Sequence, residues 1–383
     1  MNGTPPSRPS GLPGTVSTKG WLMTSMRHDT TRTSGVAVTQ TPIPPSAWTE
    51  VVASAPAALP TQTPAWLRCV CAVDGYADAS RLYHTPDGRR LVLPMVRRRL
   101  GRWSPMASLP VGWGPAGLLG EGGIVRPEDV AMVIDDLTRG PAVSVRLRPD
   151  PSAAAVWAAG VPTGVDSEVR MAQAVSLEGG FDRVWRTRFR SDTRTRVRRA
   201  ERAGVVVERD DTGRLAATFY RLYTLSVARW AEQGGGLPVV ARWSAAHREP
   251  ERKVGTVAAA PDAGCRLYVA YHDGQPVSSI VVLFAAGTAA YWRGAMDAAL
   301  AGPVYANYLL HRTAIQDAAD AGCSAYSMGE SAPGSSLALF KSRFGAVEQH
   351  YATYRIERLP IARTVEAARR AYNAVGRLRP RRG

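Results

Sequence analysis

Twice along this chain, two β-prone apolar runs flank an Asp-Gly pair. The first instance is LYHTPDGRRLVLPMVRRR, divided at Asp87-Gly88; the second is CRLYVAYHDGQPVSSIVVLF, divided at Asp273-Gly274. An Asp-Gly pair supplies the positive φ that a tight connection between antiparallel strands needs, so both segments predict hairpins. The tyrosine-histidine steps ahead of the two turns, Tyr83-His84 and Tyr271-His272, suggest two copies of one mixed α/β unit. Helical signals surround the hairpins. PPSAWTEVVASAP reads as a capped helix start, and QTPAWLRCVCAV leads toward a strand region. LPVGWGPAGLLGEGG reads as a glycine-rich loop that matches no phosphate-binding fingerprint.

The second hairpin is followed by a strand (AAYWRGAM) and a helix predicted from Pro303 to about Ala321, closed by Gly322. Tyr305, Tyr308, Leu309, Ile315 and Ala319 fall on one stripe of that helix, and Arg312 lies within the stripe, either snorkelling or touching a buried ligand. A short strand (SAYSM), a polar loop (GESAPGSS), a helix from Ser335 to Phe344 and the strand VEQHYATYRI complete the series. Strand pairs followed by crossover helices imply an α/β fold with mixed sheets flanked by helices.

A length of 383 residues exceeds one ordinary hydrophobic core, and 45% apolar residues are enough to fill two. The Pro-, Ser-, Thr- and Gly-rich stretch 1–42 is expected to be a disordered tail. The first domain is expected at 43–176, the second, with the active site, at 177–358, and a basic helix or tail at 359–383. The longest apolar run, Val277 to Tyr291, is interrupted by Ser278, Ser279, Gly287 and Thr288, so no membrane span is expected, and no signal peptide opens the chain. Four scattered cysteines imply a reduced, cytoplasmic protein without a structural metal.

The formal charge of +16 comes almost wholly from arginine, since Lys19, Lys253 and Lys341 are the only lysines. The run Arg186 to Arg202 carries eight arginines against Asp192 and Glu201, and a helix so one-signed repels itself unless an anion compensates. Arg194, Arg196, Arg198 and Arg199 are therefore candidate phosphate contacts, with a solvated surface as the plain alternative. Missing motifs narrow the chemistry: there is no G-x-S-x-G elbow, no H-E-x-x-H pair, no Walker loop and no G-x-G-x-x-G after a strand. The six histidines lie far apart.

Lys341 is the candidate that remains. On its helix Leu337, Phe340 and Phe344 make the apolar stripe, and Lys341 sits one turn after Leu337, beside that stripe. Its ammonium either snorkels to water or points into a cleft. In a chain that uses arginine for nearly every other cation, a lysine here suggests that a compact point charge is wanted.

GSSLALFKSRFGA resembles the Phe-Lys segment near the C-terminus of Fem-type aminoacyltransferases. So does the order of AYWRGAMDAAL, GPVYANYLLHRTAIQDAADAGCSAYSMG and the Phe-Lys helix, and FRSDTRTRVRRAERAGVVVE resembles the basic helix before the family's second half. The likeness is best over 181–357 and weaker over 48–148. It implies two tandem GNAT-like domains and transfer of an amino acid from the ester of an aminoacyl-tRNA to an amine, with tRNA and the amine acceptor as partners, no DNA and no cofactor. It further implies that Lys341 supplies positive charge, that Phe340 shapes the acyl pocket and that Tyr291 lies near the acceptor; Arg293 and Arg312 join it as substrate-binding candidates. The helical coiled-coil arm of some members is not visible, and the acceptor, a cell-wall precursor, peptide or small metabolite, is not inherited from the family. Two other readings stand beside this one: an acyl-CoA-dependent GNAT N-acyltransferase, against which the missing R/Q-x-x-G-x-G/A loop counts, and a non-catalytic RNA-binding protein, which leaves Lys341 unexplained.

Overall fold

The computed structural model describes residues 40–98, 104–233, 251–285 and 287–358. Residues 1–39 of the expected N-terminal tail and the arginine-rich tail from 359 onward lie outside the described residues. Gln40 already bridges to Leu82, so the end of the expected tail sits against the fold.

The first half opens with helices α1 (Pro45–Ser54) and α2 (Pro64–Asp74). Helix α2 corrects the strand tendency read from QTPAWLRCVCAV. Thr63 accepts a hydrogen bond from the Trp66 amide at 3.2 Å, Pro64 occupies the first turn, and Gly75 ends the helix at φ 68°. Those caps, with Trp66, Cys69, Val70 and Val73 on one buried face, outweigh the β preference of valine. Strands β1 (Ala77–Asp78), β2 (Arg81–His84), β3 (Arg90–Leu93), β4 (Val96–Arg97), β5 (Met106–Ala107) and β6 (Leu119–Gly120) follow. Helix α3 (Pro127–Arg139), β7 (Ser144–Leu147), α4 (Ala154–Gly160) and the long β8 (Asp166–Ser176) come next.

The second half contains α5 (Ser191–Arg202), β9 (Val206–Asp210), α6 (Ala216–Gln233), α7 (Glu251–Ala258), β10 (Cys265–His272), β11 (Gln275–Phe284) and β12 (Thr288–Met296). It finishes with α8 (Ala306–Asp320), β13 (Ala325–Glu330), α9 (Ser336–Ser342) and β14 (Val347–Glu357). One 11-stranded sheet runs β1-β4-β5-β7-β14-β8-β13-β12-β11-β10-β9, with β2-β3-β6 as a separate three-stranded sheet. The last strand, β14, pairs with β7 on one side and β8 on the other, which ties the two halves together.

Both Asp-Gly hairpins form, yet they are not copies. The second has Asp273 at φ 50° and Gly274 at φ 73°, a turn with both central residues left-handed, and it lies within the large sheet. The first has only Gly88 at positive φ (82°), because Thr85 and Pro86 lengthen its connection, and it belongs to the small sheet.

Helix α8 begins at Ala306, later than its expected start at Pro303; Tyr305 stands before it in the left-handed region at φ 55°, so Pro303 falls in the preceding turn. Gly322, at φ 78°, follows its end. The halves meet around Trp66 and Trp113 of the first and Trp292 of the second, whose rings lie 5.0–5.8 Å apart. Such a cluster supplies large apolar burial, with Trp66 edge-on to both of the other rings. No described helix is long and apolar enough to cross a membrane.

Candidate active site

Strands β12 and β13 run parallel, but their ladder covers only Thr288–Ala290 against Ala325–Ser327. Beyond that point each strand continues without the other. The opening leads into a cavity of about 630 Å³ walled by β12, α6, α8 and α9. Tyr291, Arg293, Phe340 and Lys341 all line it, so two pairs of residues well separated in sequence share one chamber.

Lys341 reaches it from α9, whose N-terminus is capped by Ser335 Oγ accepting from the Ala338 amide at 3.2 Å. Of the stripe expected from sequence, Phe344 is buried and Phe340 packs against the core, but Leu337 departs from it. Leu337 is 46% exposed at the cavity rim, whereas Ala338 and Lys341 turn inward, Lys341 to 2% exposure. The ammonium donates to the carbonyl oxygens of Gly329 (3.0 Å) and Glu330 (2.8 Å) at the end of β13. These acceptors lie just past a register shift between β13 and β8, where Gly329 has φ 72°. Burial pushes the Lys341 ammonium down to about 8, and the nearby Glu330 carboxylate works in the opposite direction. Glu330 is itself held by the Tyr351 hydroxyl and, at 3.4 Å, by Arg148 of the first half.

Phe340 lies edge-on to Tyr308 (5.2 Å between ring centres), His311 (5.5 Å) and Phe344 (5.2 Å). Tyr291 packs edge-on to His311 at 4.9 Å, and burial pushes its phenol up to about 12 against the pull of Arg293. Arg293 lies over the Trp292 ring at 4.9 Å and donates to the carbonyls of Trp292 (2.8 Å) and of Gly112, which the first half extends into the second.

The remaining candidates lie elsewhere. Arg312 is outside the cavity lining, with its guanidinium over Phe181 (5.2 Å) and Trp185 (5.9 Å), so its place on the helix stripe reflects aromatic stacking. The arginine run is not one helix. A π-helical turn at Val184–Arg188 and an extended Phe189 precede α5. Arg194 caps that turn by donating to the carbonyls of Trp185 (3.3 Å), Arg186 (3.3 Å) and Phe189. Arg196 bonds the Tyr308 hydroxyl (2.8 Å) and pairs with Asp192 (2.9 Å). Arg198 and Arg199 are exposed.

Sequence reasoning missed His311, Ser226 and Arg229. His311, in the cavity wall, is neutral because burial and the neighbouring Lys341 charge push it down to about 3; its Nδ1 lies 3.5 Å from the Tyr326 hydroxyl. Its spacing one turn after Tyr308 was the available signal. Ser226 and Arg229 enter from α6, with Ser226 Oγ donating to the Met296 carbonyl (3.0 Å) and accepting from the Met296 amide (2.9 Å). No group of three or more His, Cys, Asp or Glu side chains arranged to hold a metal occurs among the described residues. Chemically, the cavity offers a buried cation beside aromatic walls, an arrangement able to stabilise negative charge developing on a bound carbonyl.

Residues 187–335 match the family model of an acetyltransferase (GNAT) domain. No curated protein matches the chain. Among solved structures, FemX is similar in fold, with 13% identity, 86% of this chain and 100% of FemX covered, and a TM-score of 0.57. The C-terminal domain of a putative lysylphosphatidylglycerol synthetase from Agrobacterium fabrum matches with 13% identity, 81% and 91% coverage and a TM-score of 0.48. A tandem GNAT protein from the clavulanic acid biosynthesis pathway matches with 12% identity, 76% and 94% coverage and a TM-score of 0.34. The chain thus shares the α/β fold of FemX and carries a GNAT-type match over residues 187–335.

Proposed function

We propose that this protein is an acyltransferase that forms an amide, moving an amino acid from the ester of an aminoacyl-tRNA to an amine, with the reaction in the Lys341 cavity. The observation that carries the reading is the buried Lys341 ammonium beside Phe340 in a cavity open between two GNAT strands. An aminoacyl ester is already activated, so the protein's task is positioning and charge stabilisation. The amine nitrogen attacks the ester carbon, the carbonyl oxygen takes up negative charge, and the ester C–O bond then breaks. The amine's proton balances the departing tRNA hydroxyl. Two N–H bonds of Lys341 are committed to backbone carbonyls, and the third is left to meet the oxyanion. The resemblance of GSSLALFKSRFGA to Fem-type enzymes supports an aminoacyl-tRNA donor.

The GNAT domain match supports a second reading with acyl-CoA as donor. Mixing pure protein with amines and either bulk charged tRNA or acyl-CoA separates the two. Loss of the acyl group from charged tRNA is the expected result; loss from acyl-CoA alone assigns the second reading.

Exposed Arg198 and Arg199 are suited to phosphate contacts, while Arg194 and Arg196 act mainly within the fold. The double substitution Arg198→Gln and Arg199→Gln is expected to weaken binding of bulk tRNA and make log Kd against log salt shallower by about one to two units, roughly 0.7–0.9 per lost phosphate contact. Filter binding at several salt concentrations measures this, and an unchanged slope removes α5 from the RNA contact.

A further inference from the structure

Among the described residues the cavity is lined by three cations, Lys341, Arg293 and Arg229, and by no carboxylate. Two of the three are held by the protein. Lys341 is bound to two carbonyls and Arg293 to the carbonyls of Trp292 and Gly112. Arg229 differs: it is partly buried, lines the same cavity, and makes no hydrogen bond or ion pair with a described residue.

Its placement is fixed. Ser226, one helical turn earlier, is bonded in both directions to the backbone of Met296, which pins this face of α6 to the end of β12. Trp292 and Met296 add apolar surface beside it. Partial removal of a guanidinium from water in a cavity it shares with two further cations is unfavourable, and a bound oxyanion offsets that cost. A planar fork with two parallel donors suits a carboxylate or a phosphate.

From this geometry we infer that the acceptor is an anionic amino compound, an amino acid or a peptide end, whose oxyanion is bound by Arg229 while its amine faces Lys341. This rests on the acyl-transfer reading above. The same oxyanion chemistry also occurs in the donor's terminal phosphate, and the experiment separates the sources.

Binding of phenylalanine, leucine and methionine is measured by titration calorimetry beside their amides, with adenosine monophosphate as the mimic of the donor end, on wild type, Arg229→Gln and Arg229→Lys. At least one free acid is expected to bind wild type roughly tenfold or more tighter than its amide, the scale of one charge-assisted hydrogen bond. Arg229→Gln is expected to erase that preference and Arg229→Lys to keep part of it, with circular dichroism unchanged in both. Equal binding of every acid and its amide to wild type, or a preference that survives Arg229→Gln, overturns the inference. So does an Arg229→Gln effect confined to adenosine monophosphate, which assigns Arg229 to the donor. None of these titrations needs turnover, so a protein with the carboxylate preference and no transfer activity would lose the reaction and keep the site.

Discussion

Lys341→Met is expected to lower the single-turnover rate of acyl transfer by roughly two to three orders of magnitude, the scale of losing one oxyanion donor, while donor affinity is unchanged. Lys341 is 2% exposed, so its charge acts in a low-dielectric setting where it is worth more than in water. Methionine fills nearly the same volume but leaves the Gly329 and Glu330 carbonyls without their donor. That loss is offset by no longer burying a charge, so the melting temperature is expected to move little. Lys341→Arg is expected to rescue poorly, since a planar fork does not take the place of a compact ammonium held between the Gly329 and Glu330 carbonyls. A Lys341→Met rate within threefold of wild type would return Lys341 to a purely structural role.

Phe344→Ala is expected to cost about 3–5 kcal/mol of folding stability, measured by urea denaturation. Phe344 is fully buried, with ring centres of Phe189, Tyr308, His311 and Phe340 at 5.2–5.8 Å. Those neighbours belong to three separate segments, so the cavity left by truncation has no single side chain able to refill it. The same contacts set the angle of α9, and the variant is expected to lose transfer activity beyond its loss of stability. A cost below about 1 kcal/mol, the range of an ordinary exposed position, would show that the aromatic cluster does not anchor α9.

How far these residues could be read in advance depended on whether their partners were local. The hairpin at Asp273-Gly274, the strand through Tyr291 and the helix carrying Lys341 follow from turn chemistry and short-range periodicity, and all three form. Helix α2 was misread because its valines and cysteines favour strands, while Thr63 and Pro64, which settle the matter, act on the first turn alone. Leu337 was placed with the buried stripe, yet it is Lys341 that turns inward, because its ammonium finds two carbonyl acceptors where β13 breaks register with β8. No periodicity encodes that. Arg194, a phosphate candidate by its place in the arginine run, also donates to three carbonyls around the π-helical turn, which the run itself does not reveal. His311 and Arg229 reach the cavity through the packing of α8 and α6 around β12, contacts between segments well separated in sequence.

The central claim, that the charge on Lys341 is used in the transition state, is tested most directly by the pH dependence of single-turnover transfer. Burial holds this ammonium at about 8, so it is charged at neutral pH and loses its proton in a range where an ordinary lysine stays protonated. The wild-type rate, corrected for uncatalysed ester loss, is expected to rise with pH as the acceptor amine deprotonates and then to fall on a limb near pH 8 as Lys341 does. In Lys341→Arg, whose guanidinium stays charged across the range, the falling limb is expected to vanish and leave a lower plateau. A falling limb that persists in Lys341→Arg, or a wild-type rate that climbs without turning to pH 10, would contradict the account.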